Sequence, residues 1–218
     1  LRIYINEKQK MFLTFAATTY ANVTSGFIAD NTKLLSKSNK AISTEKDVLK
    51  SQRRKLTLCL RRVNPETEIE KSTWFHLCLN MQTSMNYSLQ RINEVCKEHV
   101  ENNFRRLPER FREPLDEISA RIVSVITDSA AAIEESRPEV IDTLRARCEE
   151  IKNRLTAMSR DAYGYVSTGD QANLTVMYVY LNLVQESQEF VTALRKLLRA
   201  SGKLNLAPSQ YRSFTHPA

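Results

Sequence analysis

Five branched apolar residues follow one another at intervals of seven early in this chain: Leu35, Ile42, Leu49, Leu56 and Val63. Because seven residues make almost two turns of an α-helix, this repeat keeps the five side chains on one face. Lys and Arg fill much of the opposite face. The pattern predicts one long amphipathic helix from about Thr32 to Val63 that packs lengthwise against a neighbour.

Residues that interrupt helices are scarce in the whole sequence. Only 4 Gly and 6 Pro occur in 218 residues, which leaves little room for hairpins or glycine-rich loops. Between them, apolar residues recur at the three- and four-residue spacing of amphipathic helices. We therefore predict an all-α fold, an up-down helical bundle of about six segments. The segments run from about 7 to 28, 32 to 63, 65 to 103, 114 to 134, 138 to a loop that starts near 164, and 170 to 201.

Capping and helix-breaking residues predict where these segments begin and end. Side chains able to accept a hydrogen bond from a first helical turn precede three of them: Asn6, Asn64 and Asp170. Gly202 follows the last segment and is a predicted C-cap. Pro108 and Pro114 predict the break near the middle of the chain.

The order of the segments predicts a duplicated unit. When the third segment is slid onto the sixth, Leu-Asn-Met at 79–81 aligns with Leu-Asn-Leu at 181–183. Each half then contains three segments in the same order. We predict a first three-helix half at 1–106, a second at 107–202, and a frayed C-terminal tail at 203–218.

The sequence contains no recognisable catalytic motif. It has neither the phosphate-binding loop GxxxxGK[ST] nor GxGxxG, and no HExxH pair among its 3 His. No stretch approaches the roughly 20 apolar residues of a membrane-spanning helix. We therefore expect a soluble domain that is not an enzyme, has no resident cofactor, and keeps its 4 Cys as reduced thiols.

Charge gives two further sets of candidates. Glu94 and Glu98, with Glu101, share one face of the third segment and are candidate metal ligands, because stacked carboxylates can hold a hard cation or iron. The alternative is a solvated face paired with Arg91 and Lys97. The net charge of +7 lies in basic clusters that could meet anionic lipid, a phosphate-rich ligand or nucleic acid, or could simply be solvated.

The string at 89–96, Leu-Gln-Arg-Ile-Asn-Glu-Val-Cys, resembles the helix that defines the PhoU-like phosphate-regulatory family, approximately Leu-Glu-Arg-Ile-Gly-Asp-His-Ala. Two three-helix repeats are also what that family looks like, so the resemblance implies a PhoU-like bundle. Gln90 stands where the family has a metal-binding Glu, and Glu94 where it has Asp. The equivalent stretch of the second half, 191–196, has no carboxylate at either position. The multinuclear metal cluster of some members therefore does not carry over.

A second resemblance is to the cytoplasmic C-terminal region of Pit-type inorganic phosphate permeases. It rests on 1–9, Leu-Arg-Ile-Tyr-Ile-Asn-Glu-Lys-Gln, on 27–31, Phe-Ile-Ala-Asp-Asn, and on 73–77, Thr-Trp-Phe-His-Leu. It implies a regulatory domain of a bacterial phosphate permease at the cytoplasmic face of the inner membrane. Its partner would be the transmembrane part of the same permease, with the inner leaflet nearby, and self-association is a further expectation.

Two alternatives stay open beside this hypothesis. One is a free-standing PhoU-like protein that binds metal through the Glu94 face, and the other is a helical adaptor without a small ligand. We expect no nucleic-acid partner, since aromatic stacking residues are mostly absent from the basic clusters.

Overall fold

A computed structural model describes residues 2–60, 65–167 and 173–205, and the side chains of 3–55, 72–167 and 173–205. The described residues contain six α-helices, one 3₁₀ turn and no strand, which confirms the prediction of an all-α fold. The helices are α1 (Arg2–Ile28), α2 (Thr32–Leu60), α3 (Pro65–Glu101), α4 (Glu109–Glu134), α5 (Ile141–Ser167, after the 3₁₀ turn Pro138–Val140) and α6 (Leu174–Asn205).

Several predicted boundaries are wrong, and two of the errors, at Asn6 and Gly202, involve contacts with other helices. Asn6 lies inside α1 rather than before it, and its side chain reaches the ends of α4 and α6. Gly202 lies inside α6, where it faces Ile141 at ordinary contact distance. Pro114 lies inside α4, which begins at Glu109 directly after Pro108. The predicted caps Asn64 and Asp170 fall outside the described residues.

Four helices form the centre of the bundle and two lie outside. The most extensive packing is between α3 and α6 and between α1 and α4, while α2 packs on α3 and α1, and α5 on α6 and α4. The sequence explains this arrangement. Within its described side chains, α2 buries one narrow stripe: Leu35, Ser38, Ile42 and Leu49. Helix α6 buries adjacent residues such as Leu183 and Val184 and so has neighbours on more than one side.

Helices α1 and α4 run antiparallel. Along α1 and α4, hydrogen bonds and ion pairs join Lys10 to Glu134 and Thr24 to Ser119, so the chain numbers rise in one helix and fall in the other. The two groups of three helices share one continuous apolar core rather than having a core each. The division into halves at 1–106 and 107–202 stays a prediction.

Two further findings concern the cysteines and the apolar character of the helices. Cys78, Cys96 and Cys148 are free and buried, as expected, whereas the side chain of Cys59 lies outside the described set. No helix among the described residues is long and apolar enough to cross a membrane.

Candidate functional site: the seam between the two groups of helices

The surface where α1–α3 meets α4–α6 holds polar contacts between residues that lie 95 or more positions apart in the sequence. We call it the seam and define it by Asn6, Lys10, Tyr20, Thr24 and Arg91 on one side and Ser119, Glu134, Ser136, Glu186, Ser187 and Asn205 on the other. If one group of helices moved relative to the other, these contacts would have to change. The seam is therefore the candidate site for a function that depends on helix packing.

Two buried hydroxyl pairs lie in the middle of the seam. Tyr20 Oη lies 2.7 Å from Ser187 Oγ, and Ser187 donates in turn to the Leu183 carbonyl, so Tyr20 is the donor. Thr24 Oγ1 lies 2.7 Å from Ser119 Oγ and also donates to the Tyr20 carbonyl. Burial raises the pKa of Tyr20 strongly, against the opposing effect of the Ser187 hydrogen bond, so its phenol stays protonated and available as a donor.

At one end of the seam, α1 contacts the C-terminal ends of both α4 and α6. The Asn6 amide Nδ2 donates to Ser136 Oγ at 3.2 Å and to Asn205 Oδ1 at 3.3 Å, which brings the ends of α4 and α6 to the same side chain. One turn further on, Lys10 Nζ lies 2.5 Å from Glu134 Oε1. A buried amide bound by two other helices fixes their relative positions, because leaving it unpaired is costly.

The strongest polar contact across the seam joins α3 to α6. Arg91 donates from Nε to Glu186 Oε1 at 2.6 Å and from Nη2 to Oε2 at 2.7 Å, a two-pronged geometry that suits guanidinium and carboxylate. The Glu186 side chain is only 14% exposed, against 49% for Arg91. The hydrogen bond to Glu186 raises the pKa of Arg91 further, and Glu189 and Glu94 add to this effect.

The predicted metal ligands lie beside this pair but face solvent. Glu94 is exposed and accepts a hydrogen bond from Gln90 Nε2 at 2.7 Å, and Glu98 is exposed one turn away. Among the described residues, no three His, Cys, Asp or Glu side chains lie close enough together to hold a metal ion. A cation would also meet the charge of Arg91. The donor set therefore does not fit a multinuclear metal cluster, and a cation bound by Glu94 and Glu98 alone stays a prediction.

Sequence reasoning found some of these residues but not their partners. It expected Arg91 and Lys97 to pair within α3. Lys97 does so with Glu101, but Arg91 crosses to α6. Tyr20 is buried in the apolar core, and its hydroxyl was the signal that a polar partner was needed. Nothing in the local sequence could identify that partner as Ser187.

Comparison with known proteins bears on the fold. No family model matches the sequence, and no curated protein is significantly similar to it. Among solved structures, PhoU from Pseudomonas aeruginosa is similar with a TM-score of 0.77 at 8% identity, over 93% of this chain and 96% of that one. The phosphate transport system regulatory protein PhoU from Streptococcus pneumoniae is similar with a TM-score of 0.65 at 14% identity, over 93% and 94%. At such identities the likeness shows the fold alone, and it confirms that this chain is a PhoU-like helical bundle.

Proposed function

We propose that this chain is a regulator of inorganic phosphate transport that acts through helix packing at the seam. The observation that carries the proposal is the overlap of the whole bundle with two PhoU structures, one of them described as a phosphate transport system regulatory protein. The resemblance of 89–96 to the defining helix of that family supports the same role. The role requires no catalytic step.

The seam supplies a physical means for such regulation. Hydroxyl pairs such as Tyr20 with Ser187 can exchange partners after a small shift of one helix, because each hydroxyl both donates and accepts. The Arg91–Glu186 pair spans α3 and α6, the pair of helices with the most extensive contact. A partner that binds one relative position of these helices better than another would change the population of each.

The regulator is proposed in its free-standing form. Support comes from the coverage of the two PhoU structures, since nearly all of each, 96% and 94%, is matched by this one bundle. A domain attached to a permease is the second candidate, and the observation in its favour is the resemblance of 1–9, 27–31 and 73–77 to Pit-type permeases. In either form the proposed partner is the membrane part of a phosphate transporter.

Phosphate uptake in the native host tests the role. Deletion of the chain should change uptake under phosphate-rich growth, under phosphate-starved growth, or under both. The double variant Arg91→Met with Glu186→Leu should reproduce the change, because it removes the cross-seam pair without leaving a buried charge. The matched control is Lys97→Met with Glu101→Leu, an ion pair within α3, which should regulate as wild type. Unchanged uptake in the deletion strain under both conditions would refute the proposed role.

The metal-binding version of the free-standing form has its own test. If the metal-binding version is correct, elemental analysis of the purified chain should show a stoichiometric transition metal. The variant Glu94→Gln with Glu98→Gln should then lose this metal. Purified protein without such a metal would exclude that version and leave regulation by packing in place.

A further inference from the structure

The described part of α2 carries most of the net charge of the chain. Between Thr32 and Lys55 there are 8 Lys and Arg and 2 acidic residues, so this stretch alone has a net charge of +6, against +7 for the whole sequence. Six of the eight are exposed side chains without an ion pair in the part of the chain that the structure describes. We call these six the basic face of α2: Lys33, Lys37, Lys40, Lys50, Arg54 and Lys55.

The other outer helix, α5, is different. It is also rich in basic residues, but four of them are neutralised by carboxylates on α4 or on α5 itself. These are Arg145 with Asp142, Arg147 with Asp128, Lys152 with Glu149, and Arg154 with Glu117. A solvated helix of an ordinary bundle has such pairs. Their absence along the basic face of α2 indicates that its positive charge is kept available for a partner.

The acidic residues near this face do not cancel it. Asp47 is exposed among the basic residues, and Glu45 is half-buried on the side that meets α1, where Lys8 lies close enough to affect its charge. Burial raises the pKa of Glu45 to about 7, so a large fraction of this carboxyl is neutral at neutral pH. The face therefore keeps a strongly positive potential.

Exposed apolar side chains lie on both sides of α2. On α3, Tyr87 is 43% exposed and lies under the ammonium group of Lys46 at 5.6 Å. On α1, Lys8 covers the ring of Tyr4 at 5.5 Å and lies 3.6 Å from the sulfur of Met11, which is 54% exposed. Val48 on α2 itself is 39% exposed. A row of basic residues with Tyr, Met and Val beside it is the composition of a helix that lies at a lipid headgroup region.

The shape of the surface also favours a bilayer over a nucleic acid. The basic residues all lie on one outer helix and extend along it for about 36 Å, so their charges form a long row. The rings of Tyr4 and Tyr87 each have an ammonium group over one face, so they offer poor platforms for base stacking. Lysine, a point charge on a flexible stem, makes up five of the six residues and suits a diffuse anionic surface better than bidentate recognition.

We propose that the basic face of α2, with Tyr4, Met11, Val48 and Tyr87 beside it, is a peripheral docking surface for a bilayer rich in anionic lipid. This inference goes beyond the proposed regulatory role. Vesicle binding is measured on purified protein and lipid, so a negative result there would leave the outcome of the uptake experiment unaffected.

Co-sedimentation with vesicles tests the proposal. The full chain should bind vesicles of equimolar phosphatidylcholine and phosphatidylglycerol at physiological ionic strength and should not bind phosphatidylcholine alone. The triple variant Lys33→Gln, Lys37→Gln, Lys40→Gln should bind about 100-fold more weakly, since each basic residue near an anionic surface contributes roughly fivefold. Far-UV circular dichroism should be unchanged, because all three side chains are exposed.

The control removes the same charge elsewhere. Arg160, Lys196 and Arg199 are exposed on α5 and α6, and none has an ion pair among the described residues. The variant with Gln at these three positions should bind vesicles almost as wild type does. Met11→Ser with Tyr87→Ser should reduce the binding that persists at high salt, because apolar contacts are not screened.

Three results would overturn the proposal. The first is equal loss of binding in the two triple variants, which would mean that net charge alone matters. The second is no binding to the anionic vesicles at physiological ionic strength. The third is displacement of the bound protein by a short duplex DNA or RNA that binds more tightly to the same face, which would assign the face to nucleic acid.

Discussion

At the scale of single residues, Gly26 lies where α1 and α2 approach each other closely. A Cβ added to Gly26 would lie 2.9 Å from Leu35 Cγ and 3.0 Å from its Cδ2. Leu35 is fully buried and cannot turn toward solvent to make room. Gly164 offers the opposite case, since a Cβ there would meet nothing within 4 Å, although it too lies in a helix.

Replacing each of these glycines with alanine should therefore have opposite effects. Gly26→Ala should lower the free energy of unfolding by about 1–2 kcal/mol, because overpacking outweighs the gain in helix propensity. Gly164→Ala should raise it by about 0.5–1 kcal/mol, because only the propensity term acts. Urea denaturation followed by circular dichroism measures both. A stabilised Gly26→Ala variant would contradict the close approach.

The Glu45 carboxyl should make stability depend on pH. Burial raises its pKa from an ordinary 4.5 to about 7, so the folded state binds this proton more tightly than the unfolded state does. The stabilisation from this proton is fully present below pH 4.5 and is lost as pH rises through 7. Glu45→Gln should match wild type at pH 4 and be more stable at pH 8, by about 1 kcal/mol or less since the half-exposed carboxyl is screened. A difference that is the same at both pH values would count against this assignment.

At the scale of secondary-structure elements, three helices end in the same way without glycine. Two residues after the last helical residue of α1, α3 and α4, the backbone has a positive φ: Asp30 at 51°, Asn103 at 52° and Ser136 at 52°. In each case this residue donates its N–H to the carbonyl three residues back, and the next residue donates to the carbonyl five back. Helices commonly end with this motif, which satisfies carbonyls of the last turn.

Asn103 is the simplest of the three to test, because it is exposed and its side chain has no hydrogen bond among the described residues, whereas Asp30 pairs with Arg106 and Ser136 with Asn6. Asn103→Ala should cost about 1 kcal/mol, since a Cβ without a local hydrogen-bonding group is disfavoured at positive φ. Asn103→Gly should gain a few tenths of a kcal/mol. The two variants differ only by a methyl group, so the difference between their urea midpoints isolates the backbone conformation. Equal midpoints would mean that the residue does not adopt this conformation in solution.

At the scale of the whole molecule, one core serves all six helices. The buried residues of α1 and α3 pack against those of α4 and α6 in a single cluster. Removing one group of three helices would expose the apolar faces that the other group covers. The two groups should therefore unfold together, even if they arose by duplication.

A core variant in the second group tests this coupling through a probe in the first. Trp74 is the only tryptophan and lies on α3, whereas Leu194 is fully buried on α6. Leu194→Ala should destabilise the protein by about 2–5 kcal/mol. The urea midpoint seen by Trp74 fluorescence should shift as far as the one seen by circular dichroism. A fluorescence midpoint that stays in place would show two independent units and would support a domain boundary near 107.

Most of the fold could be predicted from the sequence, and the candidate site only in part. The helices could be predicted from seven-residue and three-to-four-residue periodicity, because this periodicity depends only on residues that are close together in the sequence. The exposed position of Glu94 follows in the same way from its place on the polar face of α3. The errors at Asn6 and Gly202 arose because contacts with other helices override local preferences for caps.

By itself, then, the sequence determined that this chain forms long amphipathic helices, and that α2 has an apolar stripe along one face and Lys and Arg along much of the opposite face. Only the tertiary structure decided that Arg91 pairs with Glu186, that Tyr20 meets Ser187, and that the six residues of the basic face of α2 have no carboxylate partner among the described residues. The physical reason is distance along the chain. Periodicity is a property of neighbouring residues, whereas each of these pairings depends on where two helices remote in sequence come to lie.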